Sequence, residues 1–153
     1  MSYDISWHSN KETVPNLETG KCLESYYYTN NNEKANEAQE LHSGLCGELE
    51  CYKKPFSHES TGLNITSNLY NMFSWAINND SSIDWKKSIH GKTGREIEPI
   101  LRKAVKKIED ESNEAMKYNS PNGWGTYPDA LRFLKDLLAE SLVYQDAFLS
   151  INY

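Results

Sequence analysis

Four residues of the types that bind zinc lie in the first half of this sequence. They are His42, Cys46, Cys51 and His58. Imidazole and thiolate groups are the usual zinc ligands, but the intervals of three, four and six residues between these four match no standard zinc pattern closely. The simpler interpretation is a pair of reduced, partly buried thiols and two surface histidines. We therefore expect no metal and no cofactor, and keep the four residues as metal candidates only.

A second group of polar residues surrounds the point where a long helix is predicted to begin. The triplet Gly-Lys-Thr at 91–93 resembles the end of a phosphate-binding loop, but position 86 is lysine where that pattern needs glycine. The free N–H groups of a helix start can still bind an anion. A small-molecule or nucleotide site is therefore the alternative interpretation, and its residues are His90, Lys92, Thr93 and Asn122.

No pattern for catalysis stands out from the rest of the sequence. Nucleophilic catalysis needs a serine or cysteine beside a histidine that a third group orients, and nothing in the local sequence selects such a set. The acidic run 109–111 falls at the solvated end of a predicted helix. We therefore expect that the protein is not an enzyme.

Aromatic residues are the stronger candidates for recognition. Trp124 lies between two glycines, in a segment that is rich in turn-forming residues. It either folds into the core and locks this loop to the last helix, or lines a recognition surface with Tyr127 and Asn122, since exposed aromatic residues are favoured binding anchors. The same ambiguity applies to Tyr26 and Tyr28, which share one side of a predicted strand.

The charge is negative overall and unevenly distributed. The net charge of −6 argues against a nucleic-acid or anionic-membrane partner, which would require a basic face. Residues 1–59 carry ten acidic and five basic residues, whereas residues 60–153 carry twelve and eleven. This asymmetry serves solubility, or it forms a surface for a basic partner with Glu33, Glu37 and Glu40 as the binding residues.

Hydrophobic periodicity predicts the elements that position these residues. Strands are predicted over 3–9 and 21–29, joined as a hairpin, with a loop over 53–63 and a final strand over 147–153. In the first strand, Tyr3, Ile5 and Trp7 alternate with polar residues and share one face. Helices are predicted over 33–50, 66–78, 94–118 and 127–143. A short irregular segment is predicted at 83–90, with Trp85 as a core anchor. Capping patterns start the last two helices, Thr93 with Glu96 and Thr126 with Asp129.

These elements predict an α+β fold, in which a small antiparallel or mixed sheet packs against three to four helices. Within the sheet, the N-terminal hairpin is joined by the C-terminal strand. The length of 153 residues predicts a single domain. The sequence contains no apolar run of about 18 residues and no secretory signal, so a cytoplasmic location without membrane contact is expected.

Several segments resemble a group of small, uncharacterised proteins found in bacteria, phages and mobile elements. The segments are Tyr-Asp-Ile at 3–5, Asn-Ile-Thr-Ser-Asn at 64–68, the 90–94 segment and, most specifically, the NGWGxY motif at 122–127. The resemblance covers the first strand and residues 64–153, and it implies that 30–60 is an insertion. It carries no known activity, but it implies a bacterial or phage protein with an accessory or counter-defence role.

Taken together, these patterns predict a non-enzymatic, acidic protein that acts by occupying a host or rival protein. The partner-binding candidates are Tyr26, Tyr28, Glu33, Glu37, Glu40, Trp124 and Tyr127. The alternative is a small-molecule or nucleotide binder that uses the helix start at 90–93 and the loop at 122–127.

Overall fold

The computed structural model describes residues 2–8, 32–41 and 58–152. In chain order the elements are β1 (Ser2–His8), α1 (Asn32–Leu41), β2 (His58–Thr66), a 3-10 turn (Ser67–Leu69), α2 (Tyr70–Asn78), α3 (Trp85–Ile89), α4 (Gly94–Asp110), α5 (Ser112–Met116), α6 (Tyr127–Val143) and β3 (Phe148–Asn152). Within these ranges, no helix is both long and apolar enough to cross a bilayer.

The three strands form one antiparallel sheet with the order β2-β1-β3. Ser6 of β1 lies opposite Ser60 of β2 on one side and opposite Ser150 of β3 on the other. The register of β1 with β2 shifts between Asp4 and Ser6. The sheet and its helices confirm the predicted α+β class, including the small antiparallel sheet completed by the C-terminal strand.

The strand that pairs with β1 differs from the prediction. The segment 53–63 was predicted as a loop, and this is wrong for 58–63, which belongs to β2. Gly62 and the short apolar pair Leu63 and Ile65 leave a weak local strand signal, and pairing with β1 over a long sequence separation supplies the missing stabilisation. The strand predicted at 21–29 lies outside the described residues.

Two of the longer helices begin at the capping patterns that predicted them. Thr93 Oγ1 accepts a hydrogen bond from the Glu96 N–H at 3.2 Å, and Glu96 Oε2 accepts one from the Thr93 N–H at 2.8 Å. At the start of α6, Asp129 Oδ2 accepts a hydrogen bond from the Thr126 N–H at 3.1 Å. Each pattern satisfies N–H groups that a helix start leaves unpaired.

Other helix boundaries depart from the predicted spans. The predicted helix 66–78 begins as the 3-10 turn and becomes α-helical only at Tyr70. The predicted helix 94–118 is divided at Glu111, whose backbone leaves the helical region with φ −115° and ψ 43°. Of the predicted helix 33–50, the described part is α1, and the rest lies outside the described residues.

The apolar face of the sheet packs against the helices. Tyr3, Ile5 and Trp7 alternate along β1, as predicted, and all three are buried. Trp85 of α3 is fully buried and forms the predicted core anchor. Its ring contacts that of Tyr3 edge-on at 5.4 Å and that of Phe73 at 5.1 Å between centroids, geometries that aromatic pairs prefer.

The start of α4 lies directly against the end of α6. The Gly94 N–H donates to the Ala147 carbonyl oxygen at 3.0 Å, and the Arg95 N–H donates to the Gln145 carbonyl oxygen at 2.9 Å. A Cβ atom on Gly94 would lie 2.3 Å from the Tyr144 carbonyl oxygen, so only glycine fits this approach. The positive end of one helix dipole therefore meets carbonyl groups that follow the negative end of another.

Candidate functional site

The segment 119–127, called here the tryptophan loop, is fixed by hydrogen bonds within itself. The Ser120 N–H donates to the Gly125 carbonyl oxygen at 2.9 Å, and the Gly123 N–H donates to the Ser120 carbonyl oxygen at 3.1 Å. Gly123 has φ +77° and Gly125 has φ +112°, values that L side chains rarely adopt. The two glycines are therefore required by the backbone of the loop.

Contacts to neighbouring elements hold this loop against the rest of the protein. Asn68 Nδ2 donates to the Trp124 carbonyl oxygen at 2.9 Å, and Asn119 Oδ1 accepts the Tyr127 N–H at 2.7 Å. A Cβ atom on Gly125 would lie 3.0 Å from a side-chain carbon of Leu69. The loop is therefore anchored both to the start of α2 and to the start of α6.

The side chain of Trp124 points into solvent. The side chain is 73% exposed. The backbone N–H of Trp124 donates to Asn122 Oδ1 at 2.9 Å. The core alternative for Trp124 is therefore wrong, because Gly125 and not the indole lies against Leu69. The recognition surface stays a prediction. Tyr127 is half-buried and packs against the edge of the core.

The three acidic candidates of α1 have different surroundings. Glu33 and Glu40 are exposed. Glu37 is half-buried and forms an ion pair in which Arg102 NH1 lies 2.8 Å from Glu37 Oε2 and Arg102 NH2 donates to Glu37 Oε1 at 2.9 Å. The bonds to Glu37 raise the pKa of the Arg102 guanidinium. Two of the three carboxylates are therefore presented to solvent, whereas the third attaches α1 to α4.

The same network continues through Glu98 of α4. Lys34 Nζ donates to Glu98 Oε2 at 2.9 Å, Arg102 NH2 donates to Glu98 Oε1 at 3.0 Å, and Gln145 Nε2 lies 3.3 Å from Oε2. Burial raises the pKa of this carboxyl, but the bonds from Lys34 and Arg102 outweigh burial, so its pKa lies below the ordinary value. The carboxylate form of Glu98 therefore stabilises the docking of α1.

Three of the four residues of the small-molecule alternative, His90, Lys92 and Thr93, lie along the edge of β3. The His90 Nδ1 atom accepts the Ile151 N–H at 3.0 Å, and the Lys92 carbonyl oxygen accepts the Leu149 N–H at 2.9 Å. This segment thereby pairs the outer edge of β3, which would otherwise be open.

The helix start beside that segment does not offer the N–H groups that an anion needs. The N–H groups of Gly94 and Arg95 donate to carbonyl oxygens that follow α6, and the N–H of Glu96 donates to Thr93 Oγ1. Asn122, the fourth residue of this alternative, lies in the tryptophan loop and bonds there to the Trp124 N–H. The structure does not assemble these four residues into one site.

The remaining candidates lie largely outside the described ranges. Five of them lie wholly outside these ranges: Tyr26, Tyr28, His42, Cys46 and Cys51. His58 lies in β2, opposite His8 of β1. Within the described ranges, no three His, Cys, Asp or Glu residues are grouped as a metal ion would require.

One contact of catalytic type was not anticipated from the sequence. Ser6 Oγ lies 3.4 Å from His8 Nε2, on the polar face of β1, and Asn152 Nδ2 lies 3.3 Å from Ser6 Oγ. Strand alternation places Ser6 and His8 on the same face, so their spacing of two residues was the available signal. Both side chains are buried, His8 completely, so the arrangement gives a substrate no access and fits a structural network.

The supporting residues Asn68 and Asn119 were not predicted as site residues. The available signal was composition, because neither 60–79 nor 118–128 contains a charged residue, although a quarter of the whole chain is charged.

Comparison of the chain with protein-family models, curated proteins and solved structures gives no match in any of the three.

Proposed function

We propose that this is a non-enzymatic binding protein that acts by occupying a partner protein, with Trp124 as the main anchor. The observation that carries the proposal is a tryptophan 73% exposed on a hydrogen-bonded loop. Tryptophan is the residue type most enriched among the side chains that dominate protein interfaces. The resemblance to small bacterial, phage and mobile-element proteins makes a cytoplasmic host or rival protein the expected partner, with the chain acting as a counter-defence inhibitor.

The fixed backbone around Trp124 supports this function energetically. Binding costs free energy for every side chain and loop that becomes ordered, and a loop that is already fixed avoids much of that cost. The backbone on both sides of the indole is held, by Asn122 at the N–H and by Asn68 at the carbonyl oxygen. An indole that is 73% exposed costs solubility and contributes little to packing, so recognition is the function that this geometry serves best.

The exposed carboxylates of α1 supply a second contact. Glu33 and Glu40 lie seven residues apart on one helix, which brings them to one face at about two turns' separation. They would meet a basic surface of the partner and raise the rate of association. Glu37 contributes less to this contact, because its carboxylate is already paired with Arg102.

The test compares three forms of the full chain as affinity baits in a bacterial lysate: wild type, Trp124→Ala and Met116→Ala. Met116 is the matched control, because it is also a large exposed apolar side chain. Co-eluting proteins and released small molecules are both identified by mass spectrometry. We expect a stoichiometric protein that binds wild type and Met116→Ala but is lost with Trp124→Ala.

The captured protein is then purified and titrated with all three forms by calorimetry. The loss of Trp124 should weaken binding by about 2 kcal/mol or more, as is typical of a dominant interface side chain. Equal affinity of wild type and Trp124→Ala would refute the assigned anchor. A bound metabolite without a protein partner would overturn the proposal itself.

A further inference from the structure

A groove beside the tryptophan loop is formed by the end of α1 and the first turns of α6. Its volume is about 300 Å³, and it is lined by Leu41, Tyr127, Pro128, Leu131, Arg132, Lys135 and Asp136. Tyr127 follows Trp124 by three residues, so their Cα atoms are at most about 11 Å apart. The groove therefore begins close along the chain to the residue that carries the exposed indole.

The wall of this groove is apolar because α1 packs along α6 with its last residues beside the first turns of α6. Lys34, near the start of α1, bonds to Glu98 near the start of α4, whereas Leu41 at the end of α1 lines the groove with Tyr127. Leu41, Tyr127 and Leu131 are each half-buried and pack against the core with part of their surface. Their remaining surface, with that of Pro128, gives an apolar wall open to solvent.

The charged side chains of the groove favour a negatively charged ligand. Arg132 is exposed and forms no ion pair with any described residue. Within the described ranges, Lys135 has a weak ion pair with Glu109, at 3.9 Å between Nζ and Oε1. Asp136 is buried, so the two cations carry the charge at the surface of the groove.

The adjacent groove between α4 and α6 provides a contrast. It has a volume of about 390 Å³ and also includes Leu41 and Lys135, but it contains Glu109 and Asp110 as well. Its guanidinium, Arg102, is already held by Glu37 and Glu98. That groove therefore carries more charge of both signs, whereas the groove at the start of α6 combines an apolar wall with Arg132, which forms no ion pair with a described residue.

We infer that this groove binds an apolar segment of the partner protein in which aspartate or glutamate adjoins the apolar residues. The apolar residues occupy the wall formed by Leu41, Tyr127 and Leu131, and the carboxylate pairs with Arg132. Trp124 covers the neighbouring part of the same segment. This inference rests on the proposed function, because it describes the partner's chemistry at the surface that Trp124 anchors.

The test is a selection of random 12-residue peptides displayed on phage against the immobilised full chain. We expect enriched peptides that combine aliphatic or aromatic residues with aspartate or glutamate. Synthetic copies are then titrated by fluorescence polarisation against wild type, Arg132→Glu and Lys103→Glu. Arg132→Glu should weaken binding at least about tenfold, because it replaces attraction by repulsion. Lys103, exposed on α4 and outside both grooves, is the matched charge-reversal control and should leave affinity within about twofold.

The outcomes separate this inference from the function on which it rests. Enriched peptides that are basic or free of acidic residues would overturn the inference, as would equal affinity for wild type and Arg132→Glu. A selection that enriches nothing would also overturn it. In each of these cases, a lysate partner lost with Trp124→Ala would leave the proposed function standing. If Trp124→Ala retains that partner, the anchor assignment fails irrespective of the peptide result.

Discussion

Replacing Gly94 by alanine should destabilise the protein, although helix propensity alone predicts the opposite. Gly94 is the first residue of α4, and alanine favours a helix interior over glycine by up to about 1 kcal/mol. In the structure, an added Cβ would lie 2.3 Å from the Tyr144 carbonyl oxygen and 2.5 Å from the Ser141 carbonyl oxygen. Both neighbours are backbone atoms, so they cannot move aside as a flexible side chain would.

The magnitude follows from what must move to relieve this overlap. The start of α4 would have to separate from the end of α6, which weakens the hydrogen bonds from the N–H groups of Gly94 and Arg95. Each bond contributes about 1 kcal/mol, and overpacking of a buried contact costs about 1–3 kcal/mol. After the propensity gain is subtracted, a net loss of about 2–4 kcal/mol is expected, equivalent to roughly 4–16 °C in Tm for a chain of this size.

The assay is urea unfolding of wild type and Gly94→Ala, monitored by the fluorescence of the buried tryptophans. Gly91→Ala is the control. A Cβ on Gly91 would meet no atom of the described residues within 4 Å, so it is the backbone conformation, with φ +78°, that is unfavourable to alanine. That control should lose about 1 kcal/mol. Equal or greater stability of Gly94→Ala than of wild type would refute the close approach of α4 and α6.

Three further predictions concern the candidate site and the docking of α1. Because the folded state lowers the pKa of Glu98, its stabilising contribution is present above the unfolded value of about 4.3 and is lost as pH falls through the lower folded value. Glu98→Gln should therefore destabilise the protein at pH 7, and the difference in Tm from wild type should shrink as the pH falls through the folded pKa of Glu98; a difference that stays constant with pH would contradict this. The double variant Glu33→Lys with Glu40→Lys should slow association with the partner, measured by surface plasmon resonance, without changing Tm by more than about 2 °C in calorimetry. Glu37→Lys should also lower Tm, because it breaks the ion pair with Arg102. Gly125→Ala should cost about 2–4 kcal/mol, because it combines a φ of +112° with a contact at 3.0 Å, and unchanged urea unfolding would rule out the loop geometry.

Strand pairing is the part of the fold that local sequence patterns predicted least well. β1 was recognised because Tyr3, Ile5 and Trp7 alternate strictly. β2 was not, because Gly62 and several small polar residues weaken its local signal. Its stability as a strand comes from pairing with β1, which lies 50 to 64 residues away along the chain. The division of α4 from α5 at Glu111 was likewise missed, since no proline or glycine stands there.

The candidate site shows the same division between local and distant causes. The two glycines around Trp124 predicted a loop of special conformation, but they left the side of the loop on which the indole lies undecided. That choice depends on Leu69 and Asn68, which lie 55 and 56 positions from Trp124 along the chain and are in direct contact with the loop. The groove depends on Leu41 of α1 reaching Tyr127, a contact between elements that no local pattern records.

The sequence by itself determined the features that neighbouring residues control: the class of fold, the alternation of β1, the span of α6 and the capping boxes that begin α4 and α6. These depend on interactions across three or four residues, so a short window of sequence contains their cause. Only the tertiary structure decided which strands pair, that α6 closes the start of α4, and that Trp124 faces solvent. Each of these depends on packing between segments about 50 or more residues apart, where shape and volume, rather than residue type alone, select the arrangement.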